Sequence, residues 1–197
     1  MDRFPRRFPR GPSRRLALAV SAAFLTGRAT AQSPPSSLTA LVEGGSVALM
    51  RHARAPGTGD PPGFRLGACE TQRNLDEAGR QAAADAGRRL RDAGVLVTQV
   101  RSSRWCRALE TAALAFPDVP TVPDAALDSF FADASGAPRQ TRTARAMIAR
   151  WAGRQGVLAL VTHAVNVAAL TGIDPADGEI VVLRPRRDGF DVVGRWR

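Results

Sequence analysis

The chain has 197 residues, with 28 basic side chains, all arginine, against 18 acidic ones, for a formal charge of +10. Residues 1–31 hold seven of those arginines and one aspartate, and without them the balance falls to +4. Nucleic-acid binding thereby loses its main compositional support, and 166 residues remain, enough for one domain with its own core.

Residues 1–31 read as a secretory signal peptide. Six arginines within residues 1–15 precede an apolar run over 16–25, and Ala29-Thr30-Ala31 forms an A-x-A cleavage site before Gln32. Arg14-Arg15 after Ser13 resembles a twin-arginine export signal, with ordinary Sec export as the alternative. The apolar run is half of the roughly 20 residues a membrane helix needs, so no membrane span is expected in the mature chain. Localisation is therefore expected to be periplasmic or secreted. Residues 32–37 read as a polar linker, and residues 38–197 as the folded domain.

Within the domain, residues 46–50 form a compact apolar run without helical period, as a buried strand does, and His52 follows directly. Residues 55–73 are dense in proline and glycine and form a long loop, a length more often functional than idle. Leu75, Ala78, Ala82, Ala86 and Leu90 recur at helical spacing, with Asn74 as the expected N-cap and Gly94 as the stop. A strand is predicted over 95–100, then a helix capped by Ser103 and running to about 115. Residues 118–138 look irregular. Ala144, Met147, Ile148 and Trp151 mark another helix, and residues 157–161 are apolar throughout, as a parallel strand covered on both faces should be. His163 follows that strand. Runs over 179–183 and 190–196 flank Asp188-Gly189, a hairpin turn pair. Strands alternate with helices, which gives a layered α/β fold.

The two histidines, His52 and His163, are the only ones in the chain, and both stand at strand ends. Ligands of an open parallel sheet bind outside the carboxyl ends of its strands, and histidine can act as acid, base or nucleophile near neutrality. No third ligand at useful spacing accompanies them, so no metal and no cofactor is expected. Cys69 and Cys106 are expected to pair as a disulfide in an exported chain, with two separate thiols as the alternative, since spacing alone does not bring the side chains together.

Leu49-Met50-Arg51-His52-Ala53 resembles the Arg-His-Gly signature of the histidine phosphatase superfamily, the phosphoglycerate-mutase-like enzymes, with Ala53 in the glycine's place. Three further stretches match in the family's order: residues 74–82, residues 102–112 with the Arg107-Ala108-x-x-Thr111 helix opening, and residues 160–163 ending in the second histidine. The resemblance implies a three-layer α/β/α sandwich with a mostly parallel central sheet and an exported phosphatase of the small branch, acting on a phosphomonoester through a phosphohistidine. By resemblance Arg51 and Arg107 bind the phosphate, His52 is the nucleophile, and His163 donates to the phosphoryl oxygens. Asp128, in Leu127-Asp128-Ser129-Phe130-Phe131, matches the segment that carries the family's general acid, with Asp60 and Glu70 as rivals. The residue types suit the task, because arginine forks bind phosphate oxygens in pairs and covalent catalysis divides a slow hydrolysis in two.

Ala164 after the second histidine departs from the histidine acid phosphatase branch, which has aspartate there. His52-Ala53-Arg54 and His163-Ala164-Val165 lack the hydroxyl of two-histidine phosphoesterases. The alternative reading is an inactive relative that binds a phosphorylated ligand. Export argues against a glycolytic mutase, and an envelope sugar phosphate is one candidate among small phosphorylated substrates. Arg104 is expected on the solvated surface, and Arg54 as a charged loop residue beside the strand end.

Overall fold

A computed structural model describes residue 1 and residues 36–197, so the expected signal peptide and all but the last two residues of the expected linker lie outside the described residues. In chain order the elements are α1 (Ser37–Glu43), β1 (Ser46–Arg51), α2 (Glu77–Asp92), β2 (Val97–Ser102), α3 (Cys106–Ala115), β3 (Thr121–Pro123), α4 (Ala137–Ala149), β4 (Val157–Thr162), α5 (Ala164–Thr171), β5 (Ile180–Arg186) and β6 (Gly189–Trp196). One sheet takes the order β3-β2-β4-β1-β5-β6. Its first four strands run parallel, and β5 and β6 close the far edge as an antiparallel hairpin. The sheet is mostly parallel.

Side-chain alternation along the strands builds two cores. Ala48 and Met50 of β1, with Val157, Ala159 and Val161 of β4, face α1, α2 and α3 through Leu41, Leu90 and Ala112. Val47 and Leu49, with Leu158 and Leu160, face α4 and α5 through Met147, Ile148 and Val167. Both faces of β1 and β4 are covered, which is why their sequences run apolar without a break. Three layers result.

Four local expectations need correction. Asp76, not Asn74, caps α2: its Oδ1 accepts from Gly79 N at 2.7 Å, while Asn74 donates to the backbone oxygens of Cys69 and Gln72 and so secures the loop instead. The buried face of α2 runs through Gly79, Ala83, Ala86 and Leu90, leaving Ala78 and Ala82 exposed. The stretch 118–138 contains β3, whose three residues pair with β2 at the sheet edge, where proline is tolerated. Two short helices, α1 and α5, are too brief to announce themselves by period; α1 starts at Ser37, inside the expected linker.

Gly79 sets the approach of α2 to the segment that follows His52. A Cβ there would lie 2.1 Å from the backbone oxygen of Arg54, so any side chain must push helix and loop apart. Gly79→Ala should therefore destabilise the fold by about 1–3 kcal/mol, the usual range for overpacking, read as a lowered urea midpoint at constant slope. An unchanged midpoint would mean that the loop yields freely.

Candidate active site

β1 and β4 are neighbours in parallel register, with Arg51 opposite Thr162, so the residues that leave them, His52 and His163, emerge side by side. His52 N donates to Thr162 O at 2.9 Å, and the two imidazole centroids lie 5.2 Å apart at 69°. Adjacency of strands far apart in sequence thus produces the histidine pair. Both rings are buried.

The tautomer of His52 follows from its partner. Nδ1 lies 2.7 Å from the backbone oxygen of Ala53, which can only accept, so Nδ1 carries the proton and Nε2 keeps its lone pair. Arg107 Nε donates toward that lone pair at 3.3 Å. Burial pushes the His52 pKa down to about 3, and the charges of Arg107, Arg51 and Arg73 add to the shift against the Ala53 bond. Burial likewise depresses His163 well below the ordinary range, with His52 and the same arginines contributing. Two neutral imidazoles therefore sit among three cations.

Arg107 lies on the first turn of α3, and only 3% of its side chain is exposed. Asp60 grips its fork, Nη1 to Oδ1 at 2.7 Å and Nη2 to Oδ2 at 3.2 Å. Trp105 Nε1 at 3.0 Å and Arg73 N at 3.1 Å also donate to the Asp60 carboxylate. Partial burial alone would raise the Asp60 pKa, but the bonds from Arg107 and Trp105 hold it below the usual range. Arg51 gives Nη1 to the oxygen of Pro175 at 2.8 Å and Nη2 to Asp177 at 2.6 Å, while its buried Nε has no protein partner.

The loop between β1 and α2 forms one wall. Arg73 donates from Nε to Gly59 O at 2.8 Å and from Nη1 to Ala55 O, stapling the loop to itself. Cys69 and Cys106 are joined by a disulfide, with Cα atoms 5.7 Å apart, linking the loop to the residue before Arg107. Across its 37-residue separation the bond is worth about 4 kcal/mol on the chain-entropy model. Gln72 Oε1 also accepts from Cys106 N, replacing a conventional cap on α3. Phe64 stacks on Trp105 at 5.1 Å. The cavity measures about 860 Å³; its floor is Arg51, His52, Arg73, Arg107 and His163, and its upper lining includes Phe64, Trp105, Ser129 and Phe131.

Of the expected residues, the structure gathers His52, His163, Arg51, Arg107 and Asp60 in this cavity. Asp128 and Glu70 do not line it. Glu70 is exposed and pairs with Arg65 at 3.6 Å. The Asp128 carboxylate is buried and taken by Arg104, through Nε at 2.8 Å and Nη2 at 2.5 Å, so Arg104 is an ion-pair partner and not a purely solvated residue. Its neighbour Ser129 faces the cavity instead. Arg54 pairs with Asp76. Ser103, the expected cap of α3, bonds His163 Nε2 at 2.8 Å. Arg73 and the Phe64–Trp105 pair were not singled out by sequence, because no period or spacing distinguishes them in a loop. Among the described residues no group of three His, Cys, Asp or Glu side chains could hold a metal ion, and no helix is long and apolar enough to cross a membrane.

No protein-family model and no curated protein matches the chain. Solved structures do. A mycobacterial glucosyl-3-phosphoglycerate phosphatase complexed with VO3 aligns at 16% identity and a TM-score of 0.54, covering 75% of this chain and 96% of that one. Phosphoglycerate mutase from Bacillus anthracis aligns at 14% identity and 0.53, covering 75% and 90%. The protein histidine phosphatase SixA complexed with tungstate aligns at 13% identity and 0.50, covering 76% and 95%. The chain has the phosphoglycerate-mutase-like α/β fold that these structures share.

The buried neutral histidines set the acid response of the fold. Each binds a proton more readily unfolded than folded, so stability rises with pH in the window between the folded and unfolded values. Stability should fall as pH drops below about 6.5 and keep falling toward about 3, the His52 value. Glu179, held at about 2 by the hydrogen bond from Arg195, adds a second loss below its ordinary 4.5. Thermal midpoints measured from pH 7.5 to 3.5 should decline in both windows, and His52→Gln should make the upper decline shallower, with His163 still contributing to it.

Proposed function

We propose that this chain is a phosphomonoester hydrolase that works through a phosphohistidine on His52. The observation that carries the reading is the orientation of His52: its Nδ1 proton is committed to Ala53 O, and its Nε2 lone pair lies in a cavity floored by Arg51, Arg73 and Arg107. A phosphate dianion repels nucleophiles, and a cationic floor removes that obstacle. The similarity in fold to phosphatases and a mutase supports the same reading.

In the proposed reaction the free Nε of Arg51 and the Arg107 guanidinium hold the phosphoryl oxygens, and His163 donates to them as charge develops. His52 Nε2 forms the bond to phosphorus while the bond to the leaving oxygen breaks. That oxygen takes a proton from a carboxylic acid, and Asp60 is the carboxyl group lining the cavity that also grips Arg107. Asp60 is ionised in the free protein; a dianion bound to the same arginine raises its proton affinity, so Asp60 takes up a proton from solvent as the substrate binds, passes it to the leaving oxygen and ends the step ionised again. Water then attacks the phosphohistidine, releasing phosphate and restoring His52. The occupied Arg107 fork favours one second reading, an inactive relative that binds a phosphorylated ligand without turnover. Export to the periplasm or medium, with removal of residues 1–31, is part of the proposal; the Cys69–Cys106 disulfide supports an oxidising compartment. An envelope sugar phosphate remains a candidate substrate on that basis.

Quenching without acid after mixing with labelled p-nitrophenyl phosphate should trap one acid-labile phosphate per chain in the wild type and none in His52→Ala. Binding of phosphate without any trapped label or turnover would select the inactive relative. For Asp60→Asn, turnover of an alkyl phosphate should fall far more than that of p-nitrophenyl phosphate wherever phosphorylation limits both, because nitrophenolate leaves without a proton. Equal losses would make Asp60 a ligand of Arg107 only.

A further inference from the structure

We propose that Asp128 is a positioning residue that acts on the second histidine through a buried relay, Asp128–Ser103–His163, fixing which ring nitrogen of His163 faces the phosphoryl group. The role of the phosphoryl group rests on the function proposed above; the relay itself is a property of the folded protein.

The argument is a proton count. Ser103 Oγ has three polar neighbours: Asp128 Oδ1 at 3.3 Å, His163 Nε2 at 2.8 Å and Trp105 N at 3.3 Å. A hydroxyl donates once and accepts twice. Trp105 N can only donate, and the Asp128 carboxylate can only accept. If Ser103 gives its proton to Asp128, then His163 Nε2–H donates into Oγ and every valence is used. If Ser103 instead donates to Nε2, the hydroxyl and carboxylate oxygens face each other without a proton between them, which is repulsive. The carboxylate thus selects the Nε2–H tautomer and leaves Nδ1 as the nitrogen available to a bound phosphoryl oxygen.

Asp128 is fixed in place by its neighbours. Its Oδ1 also accepts from Arg104 N at 2.9 Å, and Arg104 takes Oδ2. Its backbone oxygen accepts from Gln140 Nε2 and Asn166 Nδ2, both at 2.9 Å, and the preceding Leu127 oxygen accepts from Thr162 Oγ1 at 2.6 Å. The segment is pinned against α4, α5 and the end of β4, so the carboxylate cannot swing into the cavity. The charged or titratable groups that face His163 are His52 after β1, Arg107 on α3, and Arg51 and Arg73, all cationic or neutral. Asp60 and Asp177 pair with Arg107 and Arg51, and Asp128, one hydroxyl from His163, pairs with Arg104. When a phosphate dianion enters, a solvent proton can settle on Nδ1, and the relay keeps the Nε2 proton in place, so the imidazolium presents Nδ1–H to the phosphoryl oxygen.

Two histidines make the test direct, since nitrogen-15 imidazole spectra of the full chain assign by single substitution. Wild type should show His163 as the Nε2–H tautomer. Asp128→Asn and Ser103→Ala should both redistribute it toward Nδ1–H, whereas Arg104→Gln, which spares the Ser103 contact, should not. With p-nitrophenyl phosphate, which needs no leaving-group acid, Asp128→Asn should lower kcat roughly 10- to 100-fold, the usual scale for a carboxylate that orients a histidine, with KM within about twofold. The alkaline limb of its kcat profile should move to lower pH, because the imidazolium has lost its anion. Ser103→Ala with Asp128→Asn should be no slower than Ser103→Ala alone. An unchanged tautomer in Asp128→Asn overturns the relay. If no phosphomonoester is hydrolysed, the catalytic reading fails while the spectra still decide the relay.

Discussion

Arg107 is a guanidinium with almost no contact with solvent, and a buried charge survives only when its donors are filled and an anion lies near. Asp60 supplies that anion, so the loop carrying Asp60 must return to α3. The disulfide to Cys106, the Gln72 bond to Cys106 N and the Arg73 staples all enforce the return. The long segment after His52 is therefore a wall with a fixed position and not a loose connection.

The same charge shapes the histidines. Burial and three arginines keep His52 and His163 neutral, which leaves His52 Nε2 a lone pair at neutral pH. An incoming dianion reverses that field. On the proposed function, His163 Nδ1 and Asp60 gain proton affinity beside the dianion, while His52, whose Nδ1 proton is held by Ala53 O, keeps its Nε2 lone pair for phosphorus. Binding and protonation are thus coupled through one guanidinium cluster.

Of the two aspartates considered for the acid, Asp60 lines the cavity and Asp128 does not. Asp128 sits in the segment where resemblance locates the acid, yet Arg104, Ser103 and the backbone of Arg104 occupy its oxygens. Asp60 sits in a glycine- and proline-rich stretch with no periodic pattern, and reaches the cavity because the loop is tied down at Cys69, Gln72 and Arg73. A shift of one residue matters on an extended segment, since successive side chains point to opposite sides: Ser129 meets the cavity where Asp128 does not.

The sequence by itself determined the layers and the two strand-end histidines, with Arg51 beside the first, because these rest on local rules: unbroken apolar runs for covered strands, helical spacing for α2 and α4, and residue types whose chemistry is set by their own atoms. It also limited the disulfide to Cys69 and Cys106. Tertiary structure alone decided that β1 and β4 are neighbours, that Arg73 and Trp105 wall the site, and that Asp60 lines the cavity while Asp128 turns away from it. Those outcomes depend on hydrogen bonds between residues tens of positions apart, such as Asp60 with Arg107 or Ser103 with His163. No period or spacing along the chain encodes the direction in which such a side chain finally points.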